Sequence, residues 1–134
     1  MTAGFKTPLR LEVIGHRNFK HIAPLIYETD DGRTKQTEIG DETDLGSTWS
    51  IPVIAELYDG YFPMACSMHD KDYRTGRIPR KQADDDFYNA MYWEDIYYEE
   101  RGQPGKGDEV RLRMYQGVRM FGHSSYKGRK EWND

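Results

Sequence analysis

Residues 63–91 read PMACSMHDKDYRTGRIPRKQADDDFYNAM, and they decide the fold of the second half of the chain. The pattern predicts a helix over 63–74 that ends near Gly76, because glycine readily adopts the conformation that follows helix ends. Pro79 then begins a longer helix, about 80–100, since proline is tolerated in a first turn. Apolar residues recur at helical spacing in this second helix: Ala83, Phe87, Ala90 and Met91.

The residues on either side predict two more helices. Ser50 and Pro52 are typical of an N-cap and a first turn, and they open a short helix over 52–58. Asp108 is expected to cap a last helix over 109–121.

The N-terminal part of the chain is expected to be β structure. In its first strand apolar and polar residues alternate, which is typical of a half-buried strand: Leu9, Arg10, Leu11, Glu12 and Val13. Residues 19–28 and 33–39 flank Asp30-Asp31-Gly32, a strong signal for a hairpin turn. Pro24 lies inside the first arm of this hairpin and indicates an edge position or a bulge.

Together these elements predict an α+β fold. A small, hairpin-based antiparallel sheet at the N-terminus is packed with three to four C-terminal helices. The length of 134 residues predicts a single domain over 1–134. Within it, 1–40 is β-rich, 50–122 is helical and 123–134 is a polar tail.

Bulk composition excludes several classes of protein. The net charge is −4, so the chain as a whole is not built to neutralise nucleic-acid phosphates. The single cysteine, Cys66, excludes an intramolecular disulfide and a zinc site built from cysteines. No segment approaches the roughly 20 apolar residues that a membrane span requires. With no signal peptide evident, a soluble protein is expected.

Charged and aromatic residues are unevenly distributed. Residues 71–81 carry five Lys or Arg against one Asp, whereas residues 84–100 carry seven acids and no Lys or Arg. Such blocks are expected to be solvated helix faces that meet complementary neighbours. The ten tyrosines hint at a partner surface, because tyrosine is enriched at interfaces. Expected partners are therefore another protein or a second copy of the chain.

A candidate catalytic site centres on His69. Its neighbours Asp70 and Tyr73 are close to it in sequence, and the spacing of His69 and Tyr73 places an imidazole and a phenol on one helix face. Asp84 shares a stripe with apolar residues, and a carboxylate is costly to bury there without a partner. Asp44 is a further carboxylate that could join the site. The predicted catalytic residues are His69, Asp70, Tyr73 and Asp84.

Two interpretations of this cluster remain open. In the first, Asp44, His69, Asp70 and Asp84 bind a divalent metal ion, since mixed nitrogen and oxygen ligands suit zinc, manganese or iron. A metal-free variant has His69 as a general base oriented by a carboxylate. In the second, a His69–Asp84 bond only pins two helices together, and Arg77 or Arg80 could serve Asp84 equally well.

The acidic run Asp84-Asp85-Asp86 is not expected to form a metal site by itself. On a helix, consecutive side chains point in different directions. We therefore expect Asp84 to face inward, and Asp85 and Asp86 to serve the solvent or the helix dipole.

The order His69-Asp70-x-x-Tyr73 looks like the active-site helix of secreted phospholipases A2. That resemblance implies a general-base histidine, a calcium-binding aspartate next to it, and a tyrosine that orients a distant aspartate. It covers five residues. This chain lacks the disulfides and the glycine-rich calcium loop of those enzymes, and Asp44-Leu45-Gly46 is only a partial counterpart of that loop.

A longer resemblance spans most of the chain. The chain resembles a domain family of unknown function, numbered thirteen fifty-three, that tailed bacteriophages and prophages encode. The matching residues are Pro8-Leu9, Thr43-Asp44, Ser47, His69-Asp70, Tyr73, Ala83-Asp84, Phe87, Met91 and Phe121-Gly122. Departures from the family pattern are Leu45-Gly46, Thr48-Trp49 and Lys71-Asp72, the last of which makes its helix face more polar. The resemblance implies a phage or prophage origin and supplies no reaction.

Two functions from different classes are therefore predicted. The first is a small phage hydrolase that acts on host envelope or nucleic-acid material, with a divalent metal ion as its cofactor if one is needed. The alternative is a non-catalytic virion or accessory protein that binds other virion proteins or itself through a Tyr-rich surface. A phospholipase A2-like lipid hydrolase is a third. The expected location is the host cytoplasm or the virion.

Overall fold

The computed structural model describes residues 2–45 and 60–134 of the chain. The expected short helix over 52–58, with Ser50 and Pro52, lies outside the described residues, as does Ser47. In the described part, short strands at the N-terminus are followed by helices, which confirms the α+β class. No helix in these residues is long and apolar enough to cross a membrane.

The strands form two antiparallel sheets of three strands each, where a single sheet was expected. The first sheet contains β1 (Gly4–Phe5), β4 (Ile26–Glu28) and β5 (Thr34–Gln36), with β4 in the middle. The second contains β2 (Leu11–Gly15), β3 (Asn18–His21) and β6 (Glu42–Thr43), with β3 in the middle.

The hairpin around Asp30-Asp31-Gly32 is present, because β4 and β5 pair with Glu28 opposite Thr34. Its first arm, however, is interrupted where Pro24 was expected to bulge. Residues before this proline belong to one sheet, and those after it belong to the other. Proline cannot donate a ladder hydrogen bond, so it suits a crossing between sheets.

Three α-helices follow in the described residues, close to the predicted bounds. They are α1 (Pro63–Thr75), α2 (Arg80–Glu99) and α3 (Asp108–Phe121). Gly76 ends α1 in the left-handed conformation, with φ of 58°. A side chain could not fit there, since a Cβ on Gly76 would lie 2.1 Å from the Cα of Gly128.

The main core lies among these helices and the first sheet. Its largest fully buried apolar side chains are Leu25, Tyr27, Met64, Phe87, Met91 and Val118. A smaller cluster contains Tyr73, Ala83 and Tyr126. The segment 123–134, expected as a polar tail, is thus packed onto the domain. Its Tyr126 hydroxyl donates to the carbonyl of Ile78 at 2.6 Å.

The first strand of the second sheet is not half-buried as expected. Val13 is 70% exposed and Ile14 is 40% exposed, because no helix covers either face of β2 in the described part of the chain. The alternation of apolar and polar residues predicted the strand, but it did not predict which other element would pack on that strand.

The acidic block was expected to be solvated apart from Asp84, which faces inward as expected. Three further members are nevertheless buried: Asp86, Glu94 and Asp95. Asp86 was expected to serve the solvent. Instead it receives hydrogen bonds from Lys35 at 3.0 Å and from Arg33 at 2.8 Å. Lys35 also pairs with Asp72, which is fully buried and receives a second bond from Arg77 at 2.7 Å. Asp72 therefore joins α1 to β5 by a buried ion network, whereas Lys71 pairs with Asp41 at 2.7 Å.

Substituting Asp86 by Ala should lower the free energy of unfolding by roughly 1.5–3 kcal/mol, because Lys35 loses one of two charged acceptors. Asp85→Ala should cost no more than about 1 kcal/mol, since Asp85 pairs with Lys81 at the surface. Urea denaturation of both variants provides the comparison. Equal losses would contradict this assignment of helix faces.

Candidate functional site

The buried carboxylate of Asp84, on α2, contacts two of the predicted site residues on α1. Its side chain has no exposed surface. Its Oδ1 accepts a hydrogen bond from His69 Nε2 at 2.7 Å and another from the Tyr73 hydroxyl at 2.6 Å. The helical spacing of His69 and Tyr73 therefore directs both side chains to one atom. The five-residue pattern on α1 implied that the tyrosine contacts a distant aspartate, and Tyr73 contacts Asp84, 11 positions away.

The other oxygen of Asp84 faces two arginines. Oδ2 accepts from Arg119 of α3 at 2.8 Å and, more weakly, from Arg80 at 3.5 Å. Arg80 also donates to the carbonyl of Val118 at 3.1 Å. Asp84 consequently holds all three helices together through charged and neutral donors.

These donors decide the protonation of the carboxyl group. Burial alone would raise the pKa of Asp84, but hydrogen bonds from His69, Tyr73 and Arg119 outweigh it and hold the pKa below its ordinary value. Asp84 is therefore an anion at neutral pH. Burial and the nearby Asp84 charge raise the pKa of Tyr73, so its phenol keeps its proton and donates.

The imidazole of His69 is fixed in place by aromatic rings as well as by Asp84. Its centroid lies 4.2 Å from that of Tyr73 and 4.5 Å from that of Phe87. Because an ionised carboxylate can only accept, the proton in the His69–Asp84 bond belongs to Nε2. In the neutral ring, Nδ1 then carries the lone pair. A buried aspartate thus orients the imidazole.

Asp70 lies on the other side of the site, beside β6. Burial raises its pKa, and the negative charge of Asp44 raises it further, although Arg74 and a hydrogen bond from Thr43 oppose the shift. Asp44 thus acts on Asp70 as a nearby like charge, so the two residues form a second acidic pair, and His69 also opposes the shift.

Asp84 is poorly suited to bind a metal ion, because donors already occupy both of its oxygens. Within residues 2–45 and 60–134, no group of three or more His, Cys, Asp or Glu side chains is arranged to hold one. The proposed ligand set of Asp44, His69, Asp70 and Asp84 stays a prediction.

The remaining histidines behave differently from one another. His21 is buried, and its Nδ1 lies 3.1 Å from the Thr37 hydroxyl. Burial lowers its pKa. His16 and His123 are exposed.

Sequence reasoning missed two residues that complete the site. Arg119 is separated from Asp84 by 35 positions, and no local pattern links them. Gly122 was noted only in the Phe121-Gly122 block of the family resemblance, yet a Cβ there would lie 2.6 Å from the Tyr73 hydroxyl. The glycine leaves room for that phenol to reach Asp84.

No family model, curated protein or solved structure matches this chain. The phage-family resemblance therefore rests on the residue blocks alone. Of these blocks, the structure brings His69, Tyr73, Asp84 and Gly122 into one cluster, with Phe87 against the imidazole.

Proposed function

We propose that the protein is a small hydrolase of phage origin in which His69 is the general base. The observation that carries this proposal is the convergence of His69 and Tyr73 on Asp84 Oδ1. Many buried ion pairs hold a fold together, but few fix an imidazole tautomer with a carboxylate and fix that carboxylate with a phenol. Such support is what a positioned base requires.

In the proposed mechanism, the His69 imidazole removes a proton from a water molecule as the water oxygen attacks the ester or phosphodiester group of the substrate. The bond to the leaving alcohol oxygen breaks, and the protonated ring returns its proton to that oxygen. The positive charge that develops on the ring is stabilised by Asp84, which remains ionised. Tyr73 and Arg119 keep Asp84 in position, and neither is required to exchange a proton.

The acidic pair fits a hard divalent cation such as calcium better than zinc, because carboxylate oxygens suit hard ions. Asp44 and Asp70 are the residues that would hold it. When bound, such an ion would polarise the bond under attack and relieve the repulsion that raises the pKa of Asp70.

Among substrates, we favour an ester or phosphodiester of the host envelope over nucleic acid. The net charge of −4 opposes tight binding to a polyanion. The likeness of α1 to the phospholipase A2 helix supports a lipid ester in particular.

The direct test measures product release from three materials: phosphatidylglycerol vesicles, purified murein and double-stranded DNA. Each is assayed with calcium and with a chelator. We expect calcium-dependent hydrolysis of an envelope material, and a loss of at least about 100-fold in His69→Gln. His123→Gln, at an exposed histidine, is the matched control. Full activity of a folded His69→Gln protein, or no hydrolysis of any material, would contradict the proposal.

A second function is favoured by a specific observation. The side chain of His69 is 1% exposed, and Asp84 is paired with two arginines, as in a structural clasp. The protein would then be a non-catalytic virion or accessory component. This alternative predicts no hydrolysis, no change in melting temperature on adding calcium, and strong destabilisation by His69→Gln.

The Tyr-rich surface expected in that alternative is less exposed than its composition indicates. Tyr92 is 44% exposed, whereas Tyr27, Tyr73 and Tyr126 are buried. Tyr88 and Tyr115 form a half-buried edge-to-face pair between α2 and α3. Partner binding through these tyrosines remains a proposal.

A further inference from the structure

The open edge of β2 is a candidate interaction surface that the proposed hydrolase does not use. In the described residues, β2 pairs with β3 on one side only and is the outer strand of its sheet. An unpaired edge presents backbone donors and acceptors that can template another strand. Val13 at 70% exposure and Ile14 at 40% add apolar surface on the two faces of this strand.

The hydrogen bonds of β2 show which residues face outward. Leu11 lies opposite His21, and the amide of Ile22 donates to the carbonyl of Arg10 at 3.1 Å. Residues 10 and 12 therefore direct their backbone groups toward β3, since bonded pairs alternate along an antiparallel ladder. The backbone of His21 agrees with this assignment, because its amide points away from β2 and donates to the carbonyl of Asp41 at 2.8 Å. Leu11 and Val13 thus present their N–H and C=O groups to the open edge.

We propose that this edge pairs with the β2 edge of a second copy of the chain, antiparallel and centred on Leu11. In this register the two Leu11 residues form a bonded pair. Each Arg10 lies opposite Glu12 of the other copy, in a non-bonded pair where side chains approach closely. Val13 lies opposite Leu9.

Charge selects this register over its neighbours. A pairing shifted by two residues in one direction places Glu12 against Glu12, and a shift in the other direction places Arg10 against Arg10. A pairing centred on Val13 leaves Glu12 opposite Ile14. Only the Leu11-centred register among these four satisfies both charges, and two-fold symmetry forms the ion pair twice.

Both charges are accessible for this purpose. Arg10 is exposed, and the Glu12 side chain is 57% exposed. Glu12 lies 3.9 Å from Lys20 across the hairpin, but an ion pair between exposed side chains is weak. Its carboxylate can therefore also serve Arg10 of the second copy.

Charge reversal combined with sedimentation across a concentration series provides the test. The wild-type chain should dimerise. Arg10→Glu and Glu12→Arg should each weaken dimerisation by at least about tenfold, because each places like charges opposite twice. An equimolar mixture of the two variants should restore dimerisation, since each mixed dimer regains both ion pairs.

A backbone variant gives an independent readout. Val13→Pro removes an outward N–H without removing a bond to β3, so it should abolish dimerisation while circular dichroism stays unchanged. Val13→Thr, which keeps the N–H, is the matched control. A wild type that is monomeric at all concentrations would overturn the proposal. So would a dimer that neither charge reversal weakens, or single variants that do not recover on mixing.

Discussion

Asp84→Ala should lower the free energy of unfolding by roughly 3–5 kcal/mol, the range expected when one partner of a buried ion pair is removed. Four donors lose their shared acceptor, and Arg80 is left as a buried cation without a carboxylate partner. Urea denaturation at neutral pH measures the loss. Asp85→Ala, one residue along the same helix, is the matched control with an expected loss of no more than about 1 kcal/mol.

Asp84→Asn refines this expectation. The amide oxygen can still accept from His69 and Tyr73, but its NH2 group would face the donors of Arg119 and Arg80. The free energy of unfolding of Asp84→Asn should therefore lie between those of the wild type and Asp84→Ala. If Asp84→Ala and Asp85→Ala were equally stable, Asp84 would not join the helices as described.

The second large effect concerns Glu94, which is fully buried in α2 and caps the start of α1. Its two oxygens accept the amides of Met64 at 3.1 Å and Ala65 at 2.8 Å. Burial, and to a smaller extent the neighbouring Asp95, raise its pKa to about 8, although these bonds and a hydrogen bond with Tyr98 oppose the shift. A neutral carboxyl is thus favoured in the folded protein up to that pH.

The sign of the resulting pH dependence follows from proton uptake. Between the ordinary carboxyl pKa of 4.5 and about 8, the folded state binds a proton at Glu94 that the unfolded state releases. The contribution of Glu94 to stability is therefore complete below the lower value and is lost as pH rises through the upper one. Its full size is on the order of 5 kcal/mol.

Denaturation of wild type and Glu94→Gln at several pH values isolates this contribution. Other groups, such as Asp70 and His21, also shift, so the quantity to compare is the difference between the two proteins. Glutamine resembles the neutral acid in shape, and the wild type should lose stability relative to the variant as pH rises. A pH-independent difference would mean that Glu94 does not titrate in this range.

The helices could be predicted from sequence because their signals are local. Gly76 and Pro79 separate α1 from α2, and apolar spacing within each helix marks its inner face. The same locality explains why the contact of His69 with Asp84 could be predicted, since a buried carboxylate on an apolar stripe needs a donor and the preceding helix supplies one.

What could not be predicted depends on partners distant in sequence. Asp86 is buried because Lys35, 51 positions earlier, reaches it from the first sheet. Glu94 is buried because two amides of α1 lie within hydrogen-bonding distance of its carboxyl group, although they are 29 and 30 positions away in sequence. A single sequence does not distinguish an acidic block that has such partners from an acidic block on a solvated helix face.

We infer that Asp84 holds the His69 imidazole in one tautomer, the one in which we propose that it acts as a base. Nitrogen-15 NMR of the histidine side chains, recorded where the His69 ring is neutral, tests this claim directly. We expect a proton on Nε2 and a lone pair on Nδ1, and we expect Asp84→Asn to weaken the preference for this tautomer. A neutral His69 ring with its proton on Nδ1 and an unprotonated Nε2 would contradict the claim.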